Sequence, residues 1–230
     1  MSGTIELRTK RLLLRRYRPE DAAALYRKLG CDPEIARYTG WNPYETEEMT
    51  RSTIRGRIEK YTQEHAYGWA IEHEGELIGT AGAYDYDARQ DSIELGYSIE
   101  RDSWGKGFAS EAVQAVVNYL TEQEGISRIL AWCASDNIGS QKVLGRAGLQ
   151  LIRTEKDALQ INGQAYDQLF YEYKKPLNCT GFSDATSPRS AGSSPLISLP
   201  SESITAILHS SSSSSMSSST ATVPSSGFII

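Results

Sequence analysis

The chain contains a glycine-punctuated segment, Asp102-Ser103-Trp104-Gly105-Lys106-Gly107-Phe108-Ala109, between a strand-like run and a helical run. A helix N-terminus leaves backbone N–H groups unpaired and carries the positive end of the helix dipole, and glycines let the backbone approach a phosphate closely. The segment therefore predicts a binding site for a pyrophosphate group. Lys106 would add a charge contact there, although a lysine between two glycines is equally typical of a solvated loop.

A second element follows about thirty residues later, where Asp136-Asn137-Ile138-Gly139-Ser140 begins a helical segment that ends near Gly148. Asn137 is a favourable N-cap residue, and the segment has the form Asp-Asn-x-x-Ser-x-x-Val-Leu-x-x-x-Gly. Two such elements at this spacing are more specific than either alone.

Together with Gly96-Tyr97-Ser98-Ile99, these segments resemble the GNAT N-acetyltransferase superfamily, and within it the branch of ribosomal-protein N-terminal acetyltransferases. The resemblance extends from about Glu6 to Leu177. It implies an acyltransferase that moves an acetyl group from acetyl-CoA to a primary amine by direct attack in a ternary complex. The amine would belong to a protein N-terminus or to a small molecule.

The resemblance also implies which residues contact the co-substrate. The expected acetyl-CoA contacts are Tyr97, Ser98, Ile99, Ser103, Trp104, Gly105, Lys106, Gly107, Phe108, Ala109, Ser110, Asn137 and Ser140. Ser98 and Ile99 would offer backbone groups to the pantetheine arm, as an added strand does at a sheet edge, so their strand should splay from the strand at 127–133. Asp102 stands where the family usually has Gln or Arg, and we expect it to face solvent or cap a turn.

Acyl transfer to an amine needs a group that takes a proton from the amine and a donor for the departing thiolate. Glu94 is the expected base, because burial beside the cofactor would raise its pKa toward the working range. A water relay, or a surface role for Glu94 opposite a basic cross-strand partner, is the alternative. Many family members have a tyrosine where this chain has Leu144. Ser140 would instead stabilise the sulfur, and its alternative role is a solvent-facing serine.

The acceptor site is expected among aromatic residues, which are Trp41, Tyr44, Tyr67, Trp69 and Tyr84. Aromatic residues also commonly pack in cores, which is the alternative for each of them.

Two other functions stay open. One is a non-catalytic acyl-CoA-binding module. The other is a nucleotide-binding enzyme that uses Gly105-x-Gly107, although the segment lacks a Gly-Lys-Ser/Thr ending and a third glycine at the fingerprint spacing.

Hydrophobic periodicity predicts the elements that position these residues. Residues 92–100 alternate as a strand, and Val113, Val116, Val117 and Leu120 form a helical stripe. Hairpins are expected at Gly75-Glu76 and Asn162-Gly163. The predicted class is α+β, with a mixed, mostly antiparallel central sheet of about six or seven strands flanked by helices.

Composition predicts how the 230 residues are divided into a domain and a tail, and which classes of partner are disfavoured. Residues 179–230 contain 19 serines and three charged side chains, which predicts a disordered tail after a GNAT-like domain at 1–178. Residues 1–178 carry 23 basic and 27 acidic side chains, a formal charge of −4, which does not favour nucleic-acid binding. Cysteine and histidine spacing predicts no metal site, and no apolar run predicts a membrane span. We expect a cytoplasmic protein, and a homodimer is compatible with this prediction.

Overall fold

The structure is a computed structural model that describes residues 3–38, 43–161 and 163–175. The strands are β1 (Leu7–Arg8), β2 (Leu12–Arg15), β3 (Tyr67–His73), β4 (Glu76–Asp87), β5 (Ser92–Ile99), β6 (Arg128–Ala134), β7 (Gln150–Ile161) and β8 (Gln164–Lys174). The helices are α1 (Asp21–Leu25), α2 (Pro33–Ala36), α3 (Glu47–Lys60), α4 (Phe108–Asn118) and α5 (Ile138–Arg146). Two π-helical turns, Tyr26–Gly30 and Tyr119–Gln123, extend α1 and α4, and a 3-10 turn covers Arg101–Ser103.

In this described part, the strands form one sheet in the order β1-β2-β3-β4-β5-β6-β8-β7. Neighbouring strands pair antiparallel, except that β5 and β6 pair parallel. The predicted α+β class with a mixed, mostly antiparallel sheet is therefore confirmed. The described sheet has eight strands rather than six or seven, because the two-residue β1 adds to β2.

The β3–β4 turn lies one residue earlier than predicted. Glu74 and Gly75 have φ values of 52° and 81°, and Glu76 already pairs with His73. Two successive residues with positive φ are typical of the tight turns whose twist matches a hairpin, and glycine suits the second position. The other predicted turn falls partly outside the described residues, because Asn162 is not among them.

Helices cover both faces of the sheet. One face packs against α4 and α5 around Ile93, Val113 and Leu144, and the other packs against α1 and α3 around Leu25 and Ile54. We call these the α4/α5 face and the α1/α3 face. Side chains alternate along β5, so its odd-numbered residues join the α4/α5 core and its even-numbered residues turn to the α1/α3 face.

The predicted helical stripe is confirmed, since Val113, Val116, Val117 and Leu120 are all fully buried. Within the described ranges, no helix is long and apolar enough to cross a membrane. The predicted tail at 179–230 and the domain boundary before it lie outside the described residues, so both stay predictions.

Candidate functional site

The loop between β5 and α4 presents the N-terminus of α4. Gly105 and Gly107 have positive φ values of 73° and 82°, and α4 begins directly after Gly107. This conformation favours glycine over any other residue. Ser103 is buried and donates its hydroxyl to Glu100 at 3.0 Å. Asp102 is exposed, as expected of an acid that would repel a phosphate.

Arg11 holds this loop from the start of the sheet. Its guanidinium donates to the carbonyl of Lys106 at 3.0 Å and to the carboxylate of Glu111 in α4 at 2.7 Å. The same guanidinium lies 4.5 Å from the ring centroid of Phe108. Sequence analysis missed this contact, because Arg11 and Glu111 are 100 residues apart and no local pattern links them.

The strands β5 and β6 separate beyond Glu94. Their parallel pairing joins Ser92–Glu94 to Arg128–Leu130 and then stops. Beyond that point β5 follows β4, while β6 follows β8. The predicted splay is therefore confirmed. It creates an open edge, defined by residues 95–99 and 131–134, where an amide-rich chain can bond to backbone groups as an added strand does.

The register decides which backbone groups face this open edge. Glu100 donates its N–H to the β4 residue opposite it at 2.8 Å. Because backbone groups alternate in direction along an antiparallel strand, those of Ser98 face β4 and those of Tyr97 and Ile99 face the open edge. Contrary to expectation, the backbone groups of Ser98 therefore do not face the open edge, whereas those of Tyr97 do. The Ile99 carbonyl accepts the indole N–H of Trp104 at 2.7 Å.

Glu94 lies where the two strands separate. Its Oε1 accepts the hydroxyl of Tyr84 at 3.0 Å and the indole N–H of Trp132 at 3.1 Å. Burial raises the pKa of Glu94, the two donors lower it by less, and Asp85 raises it further. Its cross-strand neighbour is Tyr84 rather than a basic residue. Within the described residues Oε2 makes no hydrogen bond, so it is available to accept a proton.

The α4/α5 face carries two buried hydroxyl groups, one from the start of α5 and one from β5. Asn137 caps the helix by accepting the N–H of Ser140 at 3.1 Å, as predicted. Ser140 is only 5% exposed, so the alternative of a solvent-facing serine is wrong. Burial raises the pKa of Tyr97, and the neighbouring hydroxyl of Ser140 acts in the opposite direction. Within the described part of the chain, the buried Tyr97 hydroxyl has no hydrogen bond of normal geometry. Leu144 packs in the core.

Two of the expected acceptor residues lie in the core instead. Trp69 is fully buried and donates its indole N–H to the carbonyl of Ile5 at 2.7 Å. Tyr67 is also buried and donates to Glu124 at 3.0 Å. Both belong to the α4/α5 core, away from the face of Glu94. Alternation along β3 gives the two faces of the strand but does not reveal which face meets which helix.

Of the other aromatic candidates, Tyr84 lies beside Glu94. Tyr84 is hydrogen-bonded to it, and the Tyr44 hydroxyl lies 3.3 Å from the hydroxyl of Thr53 in α3. Trp41 lies outside the described residues. Among those that are described, no cluster of His, Cys, Asp and Glu could hold a metal ion.

Arg57 of α3 is a charged residue on the α1/α3 face that sequence analysis missed. Its guanidinium carbon lies 5.7 Å from the ring centroid of Tyr17. Burial lowers the pKa of Arg57, and the nearby Tyr17 and Tyr44 act in the opposite direction. Its position three residues after the buried Ile54 was the available signal, since residues three apart share a helix face.

Comparison with known proteins points to one family. Residues 11–150 match the family model described as an acetyltransferase (GNAT) domain. The uncharacterized N-acetyltransferase YoaA of Bacillus subtilis is 34% identical over 172 residues, which cover 74% of this chain and 97% of that protein. The ribosomal-protein-serine acetyltransferase of Escherichia coli is 30% identical over 125 residues, 54% of this chain and 69% of that protein. A solved RimL ribosomal L7/L12 alpha-N-protein acetyltransferase in complex with coenzyme A has a TM-score of 0.69 at 22% identity, covering 74% of this chain and 98% of its own.

Proposed function

The chain belongs to the GNAT acetyltransferase family, and on that premise we propose that it transfers the acetyl group of acetyl-CoA to a primary amine that attacks directly in a ternary complex. The observation that carries the proposal is Glu94, a carboxylate with a raised pKa and an available oxygen at the start of the open edge. Family membership sets aside the alternative of a nucleotide-binding enzyme.

Acetyl-CoA supplies the acetyl group as an activated thioester. Three features of the chain fit it: the glycine loop at the N-terminus of α4, the open edge between β5 and β6, and the buried Tyr97 hydroxyl without a hydrogen bond in the described part. We assign the pyrophosphate to backbone N–H groups of residues 103–110. We assign the pantetheine amides to the backbone of Tyr97 and Ile99 and to Asn137.

Glu94 takes the proton of the amine in this proposal. Tyr84 and Trp132 hold Oε1 in place, which leaves Oε2 as the accepting atom. A base works best when its pKa lies near the working pH, and burial moves the pKa of Glu94 in that direction. A water molecule between Glu94 and the amine would pass the proton to the same carboxylate.

Ser140 and Tyr97 stabilise the sulfur as it gains negative charge. They take the place of the tyrosine that many family members have at the position of Leu144. Because burial raises the pKa of Tyr97, its hydroxyl keeps its proton and acts as a hydrogen-bond donor. Solvent then supplies the proton that the thiolate needs.

The name of the E. coli relative supports a protein N-terminus as acceptor, and a small-molecule amine is the other class. A steady-state assay of thiol release from acetyl-CoA tests the proposal, with an N-terminal serine peptide and simple primary amines as acceptors. Thiol release that depends on the amine is the expected result. Binding of acetyl-CoA without turnover of any amine would instead identify a non-catalytic acyl-CoA-binding module. A cytoplasmic location and a homodimer stay predictions.

A further inference from the structure

The turn between β1 and β2 is bonded to the first turn of α4. Thr9 donates its hydroxyl to Oε1 of Glu111 at 2.7 Å, and the backbone N–H of Arg11 donates to the same oxygen at 2.9 Å. The guanidinium of Arg11 donates from Nε to Oε2 of Glu111 at 2.7 Å and from Nη1 to the carbonyl of Lys106 at 3.0 Å. Arg11 therefore joins the start of the sheet to both the glycine loop and α4.

The bond to Lys106 sets the direction of one peptide group in the loop. The peptide bond between Lys106 and Gly107 is trans, so its carbonyl and its N–H point in opposite directions. Because the carbonyl points to Arg11, the N–H of Gly107 points away from Arg11, and within the described residues it makes no hydrogen bond. Glycine adopts positive and negative φ about equally well, so Gly105 and Gly107 do not fix this direction by themselves. The bond from Arg11 thereby keeps the Gly107 N–H available to a ligand at the loop.

Arg11 also balances a negative charge at the N-terminus of α4. Glu111 is the acidic residue in the first turn of this helix. Burial raises the pKa of Glu111, but the hydrogen bonds from Thr9 and Arg11 together lower it by more, so the carboxylate is ionised. An ionised acid in the first turn repels a second anion that approaches the same helix N-terminus. The guanidinium, paired with this carboxylate at 2.7 Å, offsets that repulsion.

We propose, building on the proposed acetyl transfer, that Arg11 is a positioning residue for the pyrophosphate of acetyl-CoA. It directs the N–H of Gly107 through its bond to Lys106, and it neutralises Glu111 beside the phosphates. The reacting thioester lies at the other end of the co-substrate. Loss of Arg11 should therefore weaken the binding of donors that carry phosphate and leave the chemical step itself intact.

The experiment measures the Kd of CoA for the full chain by titration calorimetry. Arg11→Gln should raise this Kd about tenfold or more, the effect of one lost hydrogen bond to a charged group. Arg8→Gln is the matched control, because Arg8 in β1 forms an exposed pair with Glu6, and its Kd should equal that of the wild type. An unchanged Kd in Arg11→Gln would overturn the proposal.

A second pair of variants tests the neutralisation of Glu111. Glu111→Gln removes the negative charge and keeps the bond from Arg11 to Lys106, so it should change the Kd of CoA by less than about fivefold. The double variant Arg11→Gln/Glu111→Gln has no unpaired carboxylate at the helix N-terminus and should bind CoA more tightly than Arg11→Gln alone. A double variant that binds CoA no better than Arg11→Gln would overturn the assigned neutralisation.

A truncated donor separates positioning of the phosphates from general damage to the fold. S-acetylpantetheine carries the same thioester without the pyrophosphate. In Arg11→Gln, kcat/KM for acetyl-CoA should fall about tenfold or more, whereas kcat/KM for S-acetylpantetheine should be nearly unchanged. An equal loss for both donors would contradict the proposal. Arg11→Lys keeps the charge but lacks the planar fork that bonds Lys106 and Glu111 together, so it should raise the Kd of CoA too and covers the case that Arg11→Gln does not fold.

The two proposals fail in different ways. If the wild type does not bind CoA, the use of acetyl-CoA is disproved and the role of Arg11 falls with it. If the wild type and Arg11→Gln bind CoA equally and both acetylate an amine, acetyl transfer stands and only the role of Arg11 is disproved.

Discussion

At the scale of single residues, the proposed chemistry depends on how Glu94 is held. One oxygen accepts two neutral donors, Tyr84 and Trp132, while burial disfavours the charged form. Desolvation is the larger effect, so the carboxyl keeps a raised pKa although both donors favour the ionised form. Glu94 is thereby held in one orientation, and its hydrogen-bond partners among the described residues, Tyr84 and Trp132, are both neutral.

Glu94→Gln should reduce kcat about 100-fold or more at neutral pH, within the range for loss of a general base. Wild-type kcat should fall as the pH drops through the raised pKa of Glu94, because the protonated carboxyl cannot accept a proton. The variant should lack this acidic limb and recover in part at higher pH, where the amine is already neutral. Measurement of kcat against pH checks this, and identical profiles for both proteins would remove Glu94 as the base.

Trp132→Phe should raise the pKa of Glu94 further, because it removes a donor that favours the carboxylate. The acidic limb of the kcat profile should therefore move to higher pH by about one unit, with the plateau nearly kept. Tyr84→Phe serves as a second variant with the same expected direction. A limb that stays in place or moves to lower pH would show that these donors do not act on the base.

At the scale of elements, two strands that separate and one helix that begins after a glycine form the proposed acetyl-CoA site. The strands separate because β5 remains paired with β4 while β6 remains paired with β8. Arg11 then fixes the loop by bonding both Lys106 and Glu111. The helix N-terminus is thereby held in place before any ligand arrives, which lowers the entropic cost of binding.

Gly107→Val should weaken acetyl-CoA binding about tenfold or more, because valine at a positive φ strains the loop and shifts its N–H groups. Gly125→Val is a matched control, since Gly125 has a similar φ of 77° and open space around its Cβ, away from the loop. Both variants should lose similar unfolding free energy, and titration calorimetry should find the affinity loss in the first alone. An equal affinity in both would contradict the loop assignment.

A buried ion network ties α1 to the sheet. Arg15 of β2 donates to both carboxylate oxygens of Asp21 at 2.8 Å and to Glu72 at 2.7 Å. Asp21→Ala should lower the free energy of unfolding by about 3–5 kcal/mol, because it leaves a buried charge short of a partner. Glu47→Gln, which breaks an exposed pair with Arg51, should cost less than about 1 kcal/mol. Urea unfolding compares the two, and equal losses would contradict the structural role of the network.

The sequence was sufficient to predict the helices and strands, but not which side chains of different elements contact each other. Alternation from Ser92 gave β5 almost to the residue, and Asn137 was correctly placed as a cap. The contact between Glu94 and Trp132 could not be predicted, because the lateral register of strands 38 residues apart leaves no periodic signal. The same limit placed Trp69 at the acceptor site, since alternation does not say which helices cover which face.

At the scale of the whole molecule, the sheet separates the two halves of the proposed reaction. The α4/α5 face carries the hydroxyls of Tyr97 and Ser140, and the α1/α3 face carries Glu94 and Arg57. The two faces meet at the open edge, where β5 leaves β6. The net formal charge of −5 gives no general attraction for nucleic acid, in keeping with a small or peptidic acceptor.

The most direct test is thermal unfolding of the full chain with acetyl-CoA, CoA, ATP or NAD, because a ligand that binds only the native state raises the midpoint. Acetyl-CoA and CoA should each raise the midpoint, and the shift should grow with ligand concentration. At a concentration of 100 times Kd, the bound ligand adds about 2.7 kcal/mol to the free energy of unfolding. ATP and NAD should leave it unchanged. A midpoint that does not respond to acetyl-CoA or CoA would contradict the binding of acetyl-CoA at the open edge and the glycine loop.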